Sequence, residues 1–145
     1  MATVHAKVHL PLTPEQVWSA AQDLESTPEW LVLLEGWRGP VPDQLGIGTK
    51  ATGVLTAKGF RNRTVFECTV YDEPRLLELR GHGIAGARYA LDVKIEETAT
   101  GTHVDIAINL GGPPLFGPIG KIVAMALRSD IEQSAANFRD RYGII

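Results

Sequence analysis

The hydrophobic pattern predicts an α+β fold: a curved antiparallel sheet of six or seven strands around a long C-terminal helix, with two short helices after the first strand. Three observations carry this. Period-two alternation recurs along the chain, each run closed by turn residues. After Pro118 the period switches to that of a helix. The length of 145 residues, with 44% hydrophobic and 21% charged residues, suits one core, so residues 1–145 are expected to form a single domain.

The elements follow in order. Val4, Ala6, Val8 and Leu10 alternate with His5, Lys7 and His9, a strand with one buried face that Pro11 ends. Thr13, Pro14 and Gln16 make a helix start of the capping-box kind, with Leu12 and Val17 spaced as a hydrophobic staple. A second short helix is expected over Pro28 to Leu34 with Trp30, Leu31 and Leu34 inward, then an edge strand or loop holding Trp37. Strands are expected over Thr49–Lys58, Arg61–Tyr71, Leu76–His82, Ala87–Glu97 and Thr102–Leu110. Turns at Gly59, Asp72-Glu73-Pro74 and Thr100-Gly101 divide them. Gly117 and Pro118 open a helix to about Tyr142, closed by Gly143, with a stripe of Val123, Leu127, Ile131, Ser134, Phe138 and Tyr142. Ile119, Ile122 and Ala126 are expected to widen that stripe in its first half.

Composition narrows the function. The net charge of -3 gives no reason to expect nucleic acid as a partner. Cys68 is the single cysteine, placed in a strand as a small buried residue, so no intramolecular disulfide or cysteine-cluster zinc site is expected. The four histidines fall on polar strand faces without metal-ligand spacing, and no metal or other cofactor is expected. The start of the chain lacks a basic stretch followed by an apolar one, and no apolar run is long enough for a bilayer. The expected location is the cytoplasm, without membrane insertion. The Gly111-Gly112-Pro113-Pro114 segment lacks the Lys and Ser/Thr of a phosphate-binding loop and reads as a rigid turn.

This element order resembles that of the START-like (SRPBCC) helix-grip superfamily, which includes polyketide cyclase/dehydrase-like proteins. Leu24 to Leu31, with its Thr27-Pro28-Glu29-Trp30 core, is similar to the superfamily's second-helix signature. The run from Leu110 to Gly120, continuing through Ala126-Leu127-Arg128 to Phe138, is similar to a mycobacterial and actinobacterial subgroup. One member of that subgroup is described as the toxin of a type II toxin–antitoxin pair. The resemblance implies an internal cavity for a small hydrophobic molecule (a lipid, polyketide or aromatic metabolite) and, through the subgroup, a cognate antitoxin protein as partner. It carries no catalytic residues to this chain.

The candidate site is therefore a hollow between sheet and helix. Phe66, Tyr89, Leu91 and Ile106 would line it from the strands, Ile119, Val123 and Leu127 from the long helix, and Trp30 from the second helix. Leu115 and Phe116 would form an apolar flap at its mouth. Tyr89 is read either as a satisfied core tyrosine or as a ligand hydrogen-bond donor. Asp130, at the edge of the helix stripe, is read as a surface carboxylate or a cavity-facing acid with a raised pKa. Tyr89 and Asp130 are the only groups available for catalysis, so enzymatic activity stays open, with a cyclase or dehydratase as the reaction class.

Overall fold

Alternation along the strands and one long amphipathic helix decide the architecture. The structure, a computed structural model, describes residues 2–57, 60–113 and 117–142. Strand β1 (Ala2–Leu10) leads into helix α1 (Pro14–Ala21), a 3-10 turn (Leu24–Ser26), helix α2 (Thr27–Trp30) and strand β2 (Leu34–Arg38). Strands β3 (Lys50–Ala57), β4 (Phe60–Asp72), β5 (Leu76–His82), β6 (Arg88–Thr98) and β7 (Gly101–Gly111) precede helix α3 (Pro118–Tyr142). The seven strands form one sheet in the order β1-β7-β6-β5-β4-β3-β2, and every neighbouring pair is antiparallel. This is the helix-grip fold, a curled half-barrel with a long C-terminal helix on its concave side.

The capping box forms as the sequence predicts. Thr13 Oγ1 accepts from the Gln16 amide at 3.2 Å, and Gln16 Oε1 accepts from the Thr13 amide at 2.9 Å. Register shifts between Leu34 and Gly36 and between Cys68 and Val70 mark bulges, which bend their strands and help the sheet curl. On the concave side, cross-strand rows line up: Phe66–Gly81–Tyr89–Leu110, then Cys68–Leu79–Leu91–Ile108. The buried line of α3 is Val123, Leu127, Ile131, Ser134, Ala135 and Phe138.

Two expectations are corrected. The second helix does not run from Pro28 to Leu34: it stops at Trp30, and Leu34 opens β2. Edge pairing wins there, since Leu34 pairs with Leu55 and the Thr56 amide donates to Leu33 O at 2.8 Å. Glu35, on the same strand, pairs with Arg61. Ile119 and Ile122 do not widen the buried stripe, because each is 54% exposed. One residue is a rotation of about 100°, so Ile122 points well away from Val123, and of the three widening residues only Ala126 packs against the core. The predicted turn at Gly59 and helix end at Gly143 lie outside the described residues.

A buried serine fastens the segment that follows α2 to α3. Ser134 is 1% exposed; its hydroxyl donates to Asp130 O at 2.6 Å and accepts from the Val32 amide at 2.8 Å. Asn137 Nδ2 donates to Trp30 O at 3.2 Å, and Arg141 pairs with Glu29 at 2.9 Å. Ser134→Ala leaves the Val32 amide without its partner, so urea unfolding is expected to show a loss of about 1–2 kcal/mol. No change in the midpoint would show that the clamp contributes nothing.

Candidate functional site

Between the sheet and α3 lies a hollow of about 160 Å³. It separates two groups of core residues. One gathers Tyr89, Leu110, Val123 and Leu127; the other gathers Trp18, Leu77, Ile95 and Phe138. Trp37 and Ile106 pack against both and bridge the gap.

Each wall traces to a local pattern. Strands β5, β6 and β7 present every second residue: Leu77 and Leu79, then Leu91, Val93 and Ile95, then Val104, Ile106 and Ile108. Gly81 stands between the Phe66 and Tyr89 rings in their cross-strand row. A Cβ there would come within 2.8 Å of Thr64 Cγ2 and 3.0 Å of the Phe66 ring, so the absent side chain is what gives Phe66 its position. The helices close the other side, Val17 and Trp18 from α1, Thr27 and Trp30 from α2, Val123 and Leu127 from α3.

Of the residues named from sequence, Trp30, Phe66, Tyr89, Leu91, Ile106, Val123 and Leu127 line this hollow. Ile119 does not, being solvent-exposed on the outer flank of α3. Leu115 and Phe116 lie outside the described residues. Asp130 is half-buried and burial raises its pKa, but it is not among the lining residues. Tyr89 and Asp130 are therefore not brought together. Sequence reasoning names neither Thr27 nor Trp37 for the hollow, whereas both line it.

The chemistry of the lining is sparse. Among the described residues, no Asp, Glu, Lys, Arg or His lines the hollow, and no cluster of metal-binding side chains occurs. Tyr89 is 9% exposed. Burial pushes its pKa up to about 12, partly opposed by a hydrogen bond with the Asn62 side chain. Asn62 is itself buried, and its Oδ1 accepts from the Ile84 amide at 2.7 Å. At neutral pH Tyr89 is thus a neutral hydroxyl, able to orient a bound oxygen or nitrogen and poorly suited to remove a proton. Cys68 lies on the same strand face, fully buried, with burial raising its thiol pKa. That makes it an inert core residue rather than a nucleophile.

Comparison with known proteins agrees with this geometry. The family model described as polyketide cyclase / dehydrase and lipid transport matches residues 1–143. A Mycobacterium tuberculosis protein named as a toxin is 38% identical over 138 residues, covering 95% of this chain and 96% of the relative. A second Mycobacterium tuberculosis protein, named only as uncharacterized, is 37% identical over 143 residues, covering 99% of this chain and 100% of the relative. A crystal structure from Thermus thermophilus matches with a TM-score of 0.75 at 23% identity, covering 97% of each chain. None of the described helices is long and apolar enough to cross a membrane.

The raised pKa of Tyr89 has a signed consequence. Its folded value of about 12 exceeds the ordinary 10.0, so the native state holds this proton more tightly than the unfolded chain. The contribution is fully present below pH 10 and is lost as pH climbs towards 12. Alkaline unfolding curves of Tyr89→Phe are expected to fall less steeply across that window than those of the wild type. Identical slopes would mean that the phenol titrates normally.

Proposed function

Since the chain belongs to the polyketide cyclase / dehydrase and lipid transport family, we propose that its hollow binds a small hydrophobic molecule and that Tyr89 orients it. The observation that supports this most directly is an apolar hollow, free of charged side chains among the described residues, in a part of the fold where a well-packed core would hold side chains. Binding draws on the removal of apolar surface from water, at about 25 cal/mol per Å² before association costs. Leu91 and Ile106 provide contact surface, while the Phe66 and Trp30 rings give broad, rigid walls.

A toxin role is the second reading, and the relative named as a toxin supports it. A comparably similar relative carries no such name. In this reading the partner is a cognate antitoxin protein. The cyclase or dehydratase reading retains only Tyr89 in the hollow, a single group where acid–base chemistry needs a proton donor and an acceptor.

Toluene in excess is expected to raise the Tm of the wild type by mass action and to leave Leu91→Trp, in which an indole occupies the hollow, unshifted. No shift in the wild type would overturn the binding reading. Induced expression in a mycobacterial host addresses the second reading. Growth arrest that persists in Leu91→Trp assigns the arrest to a surface partner, whereas normal growth with the wild-type chain removes the toxin role.

A further inference from the structure

The three tryptophans that line the hollow are not equivalent. Trp18 Nε1 donates to Tyr71 Oη at 3.2 Å, and Trp37 Nε1 donates to Leu24 O at 2.6 Å. Trp30 Nε1 is fully buried and has no hydrogen-bond partner among the described residues. The same holds for Thr27 Oγ1, on a residue only 7% exposed. Thr27 and Trp30 are three apart on α2, so their side chains lie on one side of the helix, and both line the hollow. A buried indole N–H that finds no acceptor forfeits the hydrogen bond it makes in water, and native proteins rarely leave such groups unmatched. Thr56, another lining residue, also has an unpartnered Oγ1; an indole N–H and a hydroxyl on one turn of α2, on residues that both line the hollow, call for an acceptor supplied from it.

Two further observations narrow the molecule. No ionisable side chain other than the neutral Tyr89 lines the hollow among the described residues. A carboxylate, phosphate or ammonium group would therefore be stripped of water with no countercharge to meet it. The volume is about 160 Å³, against about 150 Å³ for apolar cavities that stay dry and admit benzene. That is space for one ring and a short substituent, not for a fused polycycle or an acyl chain in the same conformation.

Building on the binding reading above, we propose that the hollow selects an uncharged molecule of single-ring size that carries an oxygen acceptor. Trp30 Nε1–H and Thr27 Oγ1–H receive that oxygen. The ring lies among Phe66, Leu79, Leu91 and Ile106. The opposite end, at Tyr89, accommodates a second polar substituent without requiring one.

Three near-isosteric probes test this: ethylbenzene with no acceptor, acetophenone with a carbonyl, and benzoate with a charge. Their affinities are measured calorimetrically at neutral pH on the wild type, Thr27→Val and Trp30→Phe. Acetophenone is expected to bind the wild type about two- to tenfold more tightly than ethylbenzene, the usual contribution of a net hydrogen bond or two. Benzoate is expected not to bind. Ethylbenzene binding by each variant reports a folded and open hollow, and the ratio of acetophenone to ethylbenzene affinity should fall towards one in both. Equal affinity for ethylbenzene and acetophenone in the wild type overturns the acceptor assignment and leaves the hydrophobic site intact. A preference that survives in both variants does the same. Benzoate binding as tightly as acetophenone overturns the neutrality. Failure of every probe to bind removes the site itself, and this inference with it.

Discussion

One helix cannot fill the inside of a curled seven-stranded sheet, and the rest of the structure depends on that mismatch. The buried face of α3 is a narrow band running from Val123 to Phe138. The concave face of the sheet is far wider, with large apolar residues on β4, β5, β6 and β7. Among the strands, α3 packs most closely on β1, at one edge. Leu79, Leu91 and Ile106, nearer the middle of the sheet, are left facing space rather than helix. Short α1 and α2 close the remaining side with Trp18 and Trp30 instead of filling the interior, and the core divides into two groups around the hollow.

The pleat of the sheet then sorts the chemistry. On β5 and β6, the residues between the hollow-facing leucines are Glu78, Arg80, Asp92 and Lys94, all on the convex face. Glu78 lies opposite Asp92, and Arg80 pairs with Glu78 at 2.7 Å. Burial and the nearby Glu78 charge raise the pKa of Asp92. Glu78 and Asp92 are thus perturbed carboxylates on the far side of the sheet from the cavity, where they influence one another and not a bound molecule. A strand cannot turn a charge from one face to the other without a register slip, which would expose the whole apolar row. The apolar lining of the hollow is thus built into the strand pattern.

Much of this is legible in the amino-acid order, for reasons that differ by element. The inward sets Leu77/Leu79, Tyr89–Ile95 and Val104–Leu110 can be read because period two leaves little choice of face once the charges are placed. The capping box at Thr13 can be read because it needs only residues three apart. Ile119 and Ile122 escape a sequence reading because a helical wheel shows that a stripe broadens but not which flank meets the sheet; the seating of α3 on β1 decides that. The end of α2 escapes it because the extent of a four-residue helix is set by the strand that follows, through the Leu34–Leu55 pairing. Thr27 gives no local signal at all. A threonine ahead of Pro28 reads as a helix start, and whether its hydroxyl finds a partner depends on elements far away in sequence.

Keeping the hollow open has a thermodynamic cost that bears on its meaning. At roughly 24 cal/mol per Å³, the measured penalty for cavities in protein cores, a void of about 160 Å³ forgoes about 4 kcal/mol of packing. Small domains have only about 5–15 kcal/mol in all. Substitutions as modest as Leu79→Phe or Val93→Ile would reclaim part of it within the same fold. The void also resists collapse. Its walls are strand backbones held by antiparallel ladders on both sides, and its helical side is braced by edge-to-face rings, Trp30 on Phe138 at 4.9 Å and Trp18 on Tyr71 at 5.1 Å. The braced walls and the unmatched indole N–H of Trp30 beside them are the two features on which the proposed ligand rests: it would supply both the missing contacts and the missing acceptor.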